Sequence, residues 1–381
     1  MPAWFETLLG SIYPRIPPRF RPTLKQAFLW TQIRLSGLVS RRKVRKGNRV
    51  AFLDFEIADL EPFEFLSPSF SEVEVEVHFS TVSPGTERAV LCGLPGARRA
   101  FPYFPGYSAA GRVVAVGSGV KGCRVGDLVA GRVKHSSGDS LQPAFLFPVP
   151  DGVPAEAASF IELGIITLQG VRKARIAPGD RVAVVGQGLI GQLANRLARA
   201  MGAKDVIAIA ASRNRAPTAM AEGGATEFVD TRSGSFNPSC ISADVVIEAV
   251  GTAEAIVLAA QCARRGGRVV LLGSSRGLSR DVDLGALLQE REINLIGAHI
   301  TDMPAVDASP GRHTYRQEGQ LFLEMLRAGR LSVSELVTWR PAPSDCNAVY
   351  EVLASGGGNH VAIVFDWQRG GRDDRGAAAA N

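Results

Sequence analysis

The sequence predicts an α/β protein in two parts, a doubly wound parallel sheet joined to a smaller β-rich domain. Three observations carry this. Strands and helices alternate from about residue 155 to 300. The strands there are nearly continuous apolar runs, as strands buried on both faces require. The 381 residues, 46% of them hydrophobic, also exceed what one domain usually needs.

The elements follow in order. Residues 1–47 form a basic extension. Residues 1–53 carry eleven Lys or Arg and one acid, Glu6, so the net charge of +6 belongs to this arm. Pro14, Pro17, Pro18 and Pro22 keep its start irregular. A helix is expected from Thr23, with Leu24, Ala27, Phe28, Trp30, Ile33 and Leu38 near one face and the basic run 41–46 at its end. Over residues 22–46 this pattern fits the protein's own body, a partner subunit with a solvated charge run, or peripheral contact with an anionic membrane. No groove-reading motif points to nucleic acid.

Residues 48–158 read as the β-rich domain, with short strands broken by glycine and proline as in "GRVVAVGSGVKGCRVGDLVAG". Residues 159–300 hold the strands "RVAVVG", "DVIAIA", "ADVVIEAVG" and "GRVVLLG". After them, "RQEGQLFLEMLRAGRLS" reads as a helix. The strand "HVAIVFDW" can rejoin the early β region, so that 301–367 completes the β-rich domain. The tail 368–381 is glycine, charge and alanine, and disorder is expected there. No uncharged apolar stretch is long enough to span a membrane, and no secretory signal is evident. Cys92, Cys123, Cys240, Cys262 and Cys346 are scattered without a CxxC pair, which predicts neither disulfides nor structural zinc and suits a reducing cytoplasm.

The strongest motif is Gly186-Gln187-Gly188-Leu189-Ile190-Gly191, directly after "RVAVV" and opening a helix. In that setting it marks a Rossmann dinucleotide site: a tight turn, close approach to a diphosphate, and a helix N-terminus for the phosphate. At the end of the next strand, where an acid would hold an NAD ribose, stand Ala210 and Ala211, followed by Ser212, Arg213 and Arg215. A hydroxyl and two guanidiniums suit a 2′-phosphate, so NADP is expected. Val250-Gly251-Thr252 and Leu272-Gly273-Ser274 end later strands and are expected at the nicotinamide end.

With "PVPDGVPAEAASFIELGIITLQGV" and "APGDRVAVVGQGLIGQ", the chain resembles the medium-chain dehydrogenase/reductase superfamily over roughly residues 48–367. The resemblance implies a GroES-like catalytic domain beside the Rossmann domain, an active site in the cleft between them, and often a homodimer. In zinc-dependent alcohol dehydrogenases of that superfamily a Cys-Gly-Thr-Asp-like turn and a Gly-His-Glu segment supply ligands. Here those positions match Pro84-Gly85-Thr86-Glu87 and Gly106-Tyr107-Ser108. Glu162 matches a position that some polyol dehydrogenases use for zinc. No metal is therefore expected. "STVSPGTE" and "FPGYSAAGRV" are similar to a zinc-lacking branch, the bacteriochlorophyllide dehydrogenases.

Hydride transfer without metal needs another group to manage the charge on oxygen. Tyr107 is the first candidate, then Glu162 and Glu87, with Thr86 and Ser83 as relays in the turn "VSPGTERAV" and His299 near the nicotinamide. His135, in "KHSSGDS", reads as a solvated loop residue. Loops 92–104 and 303–315 are expected to shape the pocket, with Arg98, Arg99 and Arg312 as weak hints of an anionic substrate. The expected function is a zinc-independent NADP(H) oxidoreductase acting at an alcohol/carbonyl centre. Reduction of an activated C=C bond is one alternative; a non-catalytic dinucleotide-binding or membrane-associated role is the other.

Overall fold

The computed structural model describes residues 21–97, 100–274, 282–304, 313–356 and 358–369. The expectations placed on residues 1–20, Arg98, Arg99, Arg312 and the tail from 370 onward lie outside the described residues.

The chain begins with α1 (Arg21–Ser40), β1 (Val44–Asp54), β2 (Ile57–Leu66), β3 (Val73–Thr81) and α2 (Pro84–Leu91). Four strands follow: β4 (Ala109–Val116), β5 (Leu128–Gly131), β6 (Gly138–Leu141) and β7 (Leu146–Pro148). Next come α3 (Ala155–Ala158), α4 (Ile161–Lys173), β8 (Arg181–Val185), α5 (Leu189–Ala200) and β9 (Asp205–Ala210). The alternation continues through α6 (Ala216–Ala219), β10 (Glu227–Asp230), β11 (Ala243–Glu248), α7 (Ala253–Cys262), β12 (Ala263–Leu271) and β13 (Asn294–Gly297). The chain closes with α8 (Tyr315–Arg327), β14 (Val337–Trp339), α9 (Cys346–Ala354) and β15 (Ala362–Asp366).

Six parallel strands form one sheet in the order β10-β9-β8-β11-β12-β13. Val182, Ala183 and Val184 of β8 have no exposed surface, as the apolar run predicts for a central strand covered on both faces. The second sheet runs β14-β15-β3-β4-β5-β7, with β6 also pairing β3. The last strand does rejoin the early region: β15 pairs antiparallel with β3, Val364 opposite Thr81. Helix α4 connects the two sheets and is buried along most of its length. Its Gly164 lies so close to Phe322 of α8 that no Cβ would fit without displacing the ring.

The N-terminal arm departs from expectation. Its helix forms, but not with one apolar face. Positions nine apart, such as 24 and 33, fall on opposite sides of a helix at about 100° per residue. Leu35 and Leu38 are exposed, and Arg34, itself exposed, forms a forked ion pair with the buried Glu64 (2.6 and 2.8 Å). The basic run is not a helix end free in solvent either. Strand β1 starts at Val44, inside the stretch assigned to the extension, and pairs with β2. Arg42 and Arg45 bind Glu72 and Glu74. At the far end, Gln368 and Arg369 are tied to Asp366 and to the Arg340 carbonyl, so the first residues of the expected tail sit on the body.

Candidate active site

The glycine turn joins β8 to α5 where strand order reverses, with β9 on one side of β8 and β11 on the other. Ligands of such sheets bind outside the carboxyl ends of the strands at that point. Gly186 has φ +94°, a conformation that side-chain-bearing residues resist. A Cβ on Gly191 would run into the Gly186 carbonyl oxygen, so turn and helix can meet only through glycine. Around Gly188 a Cβ would meet, among the described residues and within 4 Å, Arg215 Nη1 alone at 3.9 Å, which leaves the backbone open to a ligand. The Gln187 side chain is engaged within the fold. Its amide turns inward, Nε2 donating to the Val184 carbonyl (2.9 Å) and Oε1 accepting from Asn195 (2.8 Å).

A cleft of about 1090 Å³ runs from this turn to the start of α2. The whole of 185–190 lines it, as do Ala210, Ala211, Val250, Leu272, Gly273 and Ser274. Gly251 does not, but its amide and that of Val250 both donate to Glu248 Oε1 (2.7 and 2.6 Å). Glu248 is fully buried, burial pushes its carboxyl up, and its Oε2 has no partner among the described residues.

The corner expected to hold the ribose needs a correction. Arg215 lines the cleft, with Nη1 3.5 Å from the Gln187 carbonyl and Nη2 3.2 Å from the Gly358 carbonyl, and burial draws its pKa down. Ser212 and Arg213 do not line it. The Ser212 hydroxyl caps a 3₁₀ turn by accepting from Asn214 N (3.2 Å), and Arg213 lies over the Phe228 ring at 5.6 Å. In a turn of three residues, side chains two apart diverge. One guanidinium faces the cleft here, where two were expected.

At the other end, "VSPGTERAV" is not a plain turn. It is the first turns of α2, with Pro84 where a missing N–H is harmless and Ser83 just before it. Tyr107 Oη donates to Ser83 Oγ (2.7 Å), and the Thr86 hydroxyl also bonds the phenol. Since the phenol's one hydrogen goes to Ser83, Thr86 is the donor in its own bond. All three hydroxyl residues line the cleft. Burial pushes the Tyr107 phenol up to about 12, so it keeps its proton near neutrality. His299 lines the cleft, exposed, with Nδ1 bonded to Thr301 Oγ1 (2.7 Å).

Glu87 does not line the cleft. Its carboxylate is buried, accepting from Ser83 N (2.7 Å), Tyr350 Oη (2.6 Å) and His135 Nε2 (3.2 Å to each oxygen). His135, expected in solvent, is fully buried and also bonds Ser80 Oγ (2.8 Å). Glu162 does line the cleft, but as a member of a cluster. Arg132 Nη2 and Nε both reach its Oε2 (3.0 and 3.3 Å), and Tyr315 Oη donates to its Oε1. Burial pushes the Glu162 carboxyl up against the pull of Arg132. Neither Arg132 nor Tyr315 stood out in the sequence.

The positions matched to zinc ligands make a poor donor set. Pro84 has no donor atom and Tyr107 is a neutral phenol. Ser108 Oγ is spent on the Ser159 carbonyl (2.7 Å) and Glu162 N (3.1 Å), and both Glu162 oxygens are engaged. Catalytic zinc wants three suitable protein ligands.

Comparison with known proteins agrees with this architecture. Residues 70–144 match the alcohol dehydrogenase GroES-like domain, and residues 190–321 match the zinc-binding dehydrogenase model. The D-xylulose reductase of Scheffersomyces stipitis is 26% identical over 312 residues, 69% of this chain and 82% of that protein. The L-galactonate-5-dehydrogenase of Escherichia coli is 30% identical over 203 residues, but these span only 52% of this chain and 57% of that one. A Sinorhizobium meliloti protein ascribed to the zinc-binding dehydrogenases, with NADP bound, superposes with a TM-score of 0.71 at 21% identity. That match covers 84% of this chain and 99% of the other, and at such identity it speaks to the fold.

Proposed function

Both domain models and the relatives support the medium-chain dehydrogenase/reductase superfamily for this chain, and on that premise we propose an NADP(H)-dependent oxidoreductase that interconverts an alcohol and a carbonyl without zinc. The observation that carries the reading is the sharing of one cleft by the glycine turn and the Thr86–Tyr107–Ser83 hydroxyls.

A bound nicotinamide dinucleotide supplies a hydride donor or acceptor at its C4. The chain's own groups do the rest. The backbone of 186–191 takes the diphosphate, Arg215 the 2′-phosphate, and the 250 and 272–274 turns the nicotinamide end. Ser83 Oγ already accepts the phenol proton, so its own hydrogen is available to an acceptor in the cleft. In the reducing direction Ser83 gives that proton to the new alkoxide, Tyr107 refills Ser83, and Thr86 refills Tyr107. Thr86 is exposed and can exchange with solvent. The high phenol pKa makes Tyr107 a carrier of its proton and not a standing base.

Support for a metal-free site is the donor set at 84, 107, 108 and 162. Support for NADP is the pair Ala210 and Ala211 with Arg215 beside them. The test is titration of purified protein with NADPH and NADH, turnover on a carbonyl panel, and metal analysis. Tyr107→Phe should lower kcat about 100-fold with NADPH affinity within threefold of wild type. Indifference to both coenzymes, or one tightly held transition metal per chain, would overturn the proposal.

A further inference from the structure

Arg132 presents unclaimed donors to the cleft. It lines the wall with Tyr107 and Glu162, with 43% of its side chain exposed. Glu162 Oε2 takes the side edge of the guanidinium, Nε and Nη2. Among the described residues no hydrogen bond occupies Nη1, so the end edge, Nη1 with the second hydrogen of Nη2, is open. That edge is held in place. The guanidinium carbon lies 5.4 Å from the ring centres of both Phe145 and Tyr315, and Tyr315 is bonded to the same carboxylate. Arg88 lines the same cleft, and its buried Nε has no acceptor among the described residues.

We infer that the substrate carries a carboxylate, gripped by the open edge of Arg132 while Glu162 and Tyr315 fix the guanidinium from behind. This rests on the oxidoreductase reading above and names the substrate class for it. Two parallel N–H donors match the two oxygens of a carboxylate, a fit that neither a hydroxyl nor a carbonyl can use in full. Glu162 is then a positioning residue: it occupies one edge, cancels part of the charge, and leaves one face for recognition.

The experiment compares hydroxy acids with their matched primary amides as substrates for wild-type protein, Arg132→Gln and Arg132→Lys. Wild type should prefer the acid by about 10- to 100-fold in kcat/KM. Arg132→Gln should lose most of that preference, and Arg132→Lys should keep part of it, because charge survives and the fork does not. A second arm needs no turnover. Sodium formate is titrated into the NADPH complex and bound-coenzyme fluorescence is followed; wild type should respond and Arg132→Gln should require at least tenfold more formate. Normal NADPH binding by the variant shows that it is folded. Equal use of acid and amide by wild type overturns the inference, as does a formate response unchanged by Arg132→Gln. Failure of wild type to bind NADPH instead strikes the oxidoreductase reading, and the two failures are thereby distinguished.

Discussion

Replacing Glu87 with alanine should unfold the β-rich part of the molecule before it touches the chemistry. The carboxylate is 2% exposed and accepts from three buried donors, Ser83 N, Tyr350 Oη and His135 Nε2. Alanine orphans all three. Each buried donor left without a partner costs about 1–3 kcal/mol, and partial relaxation places the total near 3–5 kcal/mol. For a unit of this size 1 kcal/mol moves Tm by roughly 2–4 °C, so a fall of about 10 °C is expected. Glu87→Gln retains the volume and a carbonyl acceptor and should cost about half as much. Tyr350→Phe removes one donor together with its bond and should cost about 1 kcal/mol. Scanning calorimetry should show Tm falling most for Glu87→Ala, less for Glu87→Gln and least for Tyr350→Phe. If Glu87→Ala melted within 2 °C of wild type while turnover fell a hundredfold, Glu87 would belong to the reacting groups and this account would be wrong.

Other substitutions probe the cleft and the surface. Gly191→Ala drives a methyl group into the Gly186 carbonyl and should weaken NADPH binding about 10- to 100-fold; affinity within twofold of wild type would contradict the packing. Arg215→Ala should weaken NADPH about 10- to 100-fold and NADH at most threefold, read by fluorescence titration. An equal effect on both coenzymes would remove Arg215 from the 2′-phosphate. Asp139 supplies a pH test. Burial pushes its carboxyl from 3.8 up to about 6, so its favourable contribution is complete below pH 3.8 and lost as pH rises through 6. Asp139→Asn should therefore raise stability by about 1–3 kcal/mol at pH 7.5 and by nothing at pH 3.5, and Tm curves that stay parallel across that range would refute it.

What the sequence disclosed was local. The apolar strands and the glycine turn with its following helix each lie within a few dozen residues, and their spacing carries their geometry. The cleft's polar clusters do not. His135 binds Ser80 and Glu87, and Tyr350 reaches the same carboxylate from 263 positions away. Tyr315 meets Glu162 across 153 positions. No periodicity reports such pairs, so His135 read as a solvated loop residue and Arg132 went unnoticed. One trace existed: Gly106, in "FPGYS", has no room for a Cβ because the His135 ring lies against it. The two arginines after β9 misled for a different reason. Composition showed both, and only the rotation of a 3₁₀ turn separates them. The arm misled because a count of apolar residues was taken for a face.

The pairing of β15 with β3 sets an order of events on the ribosome. The parallel sheet is complete in the nascent chain once Gly297 has emerged, and it can consolidate as a unit. The other sheet began far earlier, yet the end of β3 at Phe79, Ser80 and Thr81 stays unzipped until Asp366 has been translated. For that whole interval the older half of the newborn protein presents a bare strand edge to its neighbours, and such edges invite the wrong partner. Synthesis that stalled within the last turns of α9 would release a finished coenzyme fold carrying an unfinished, adhesive companion.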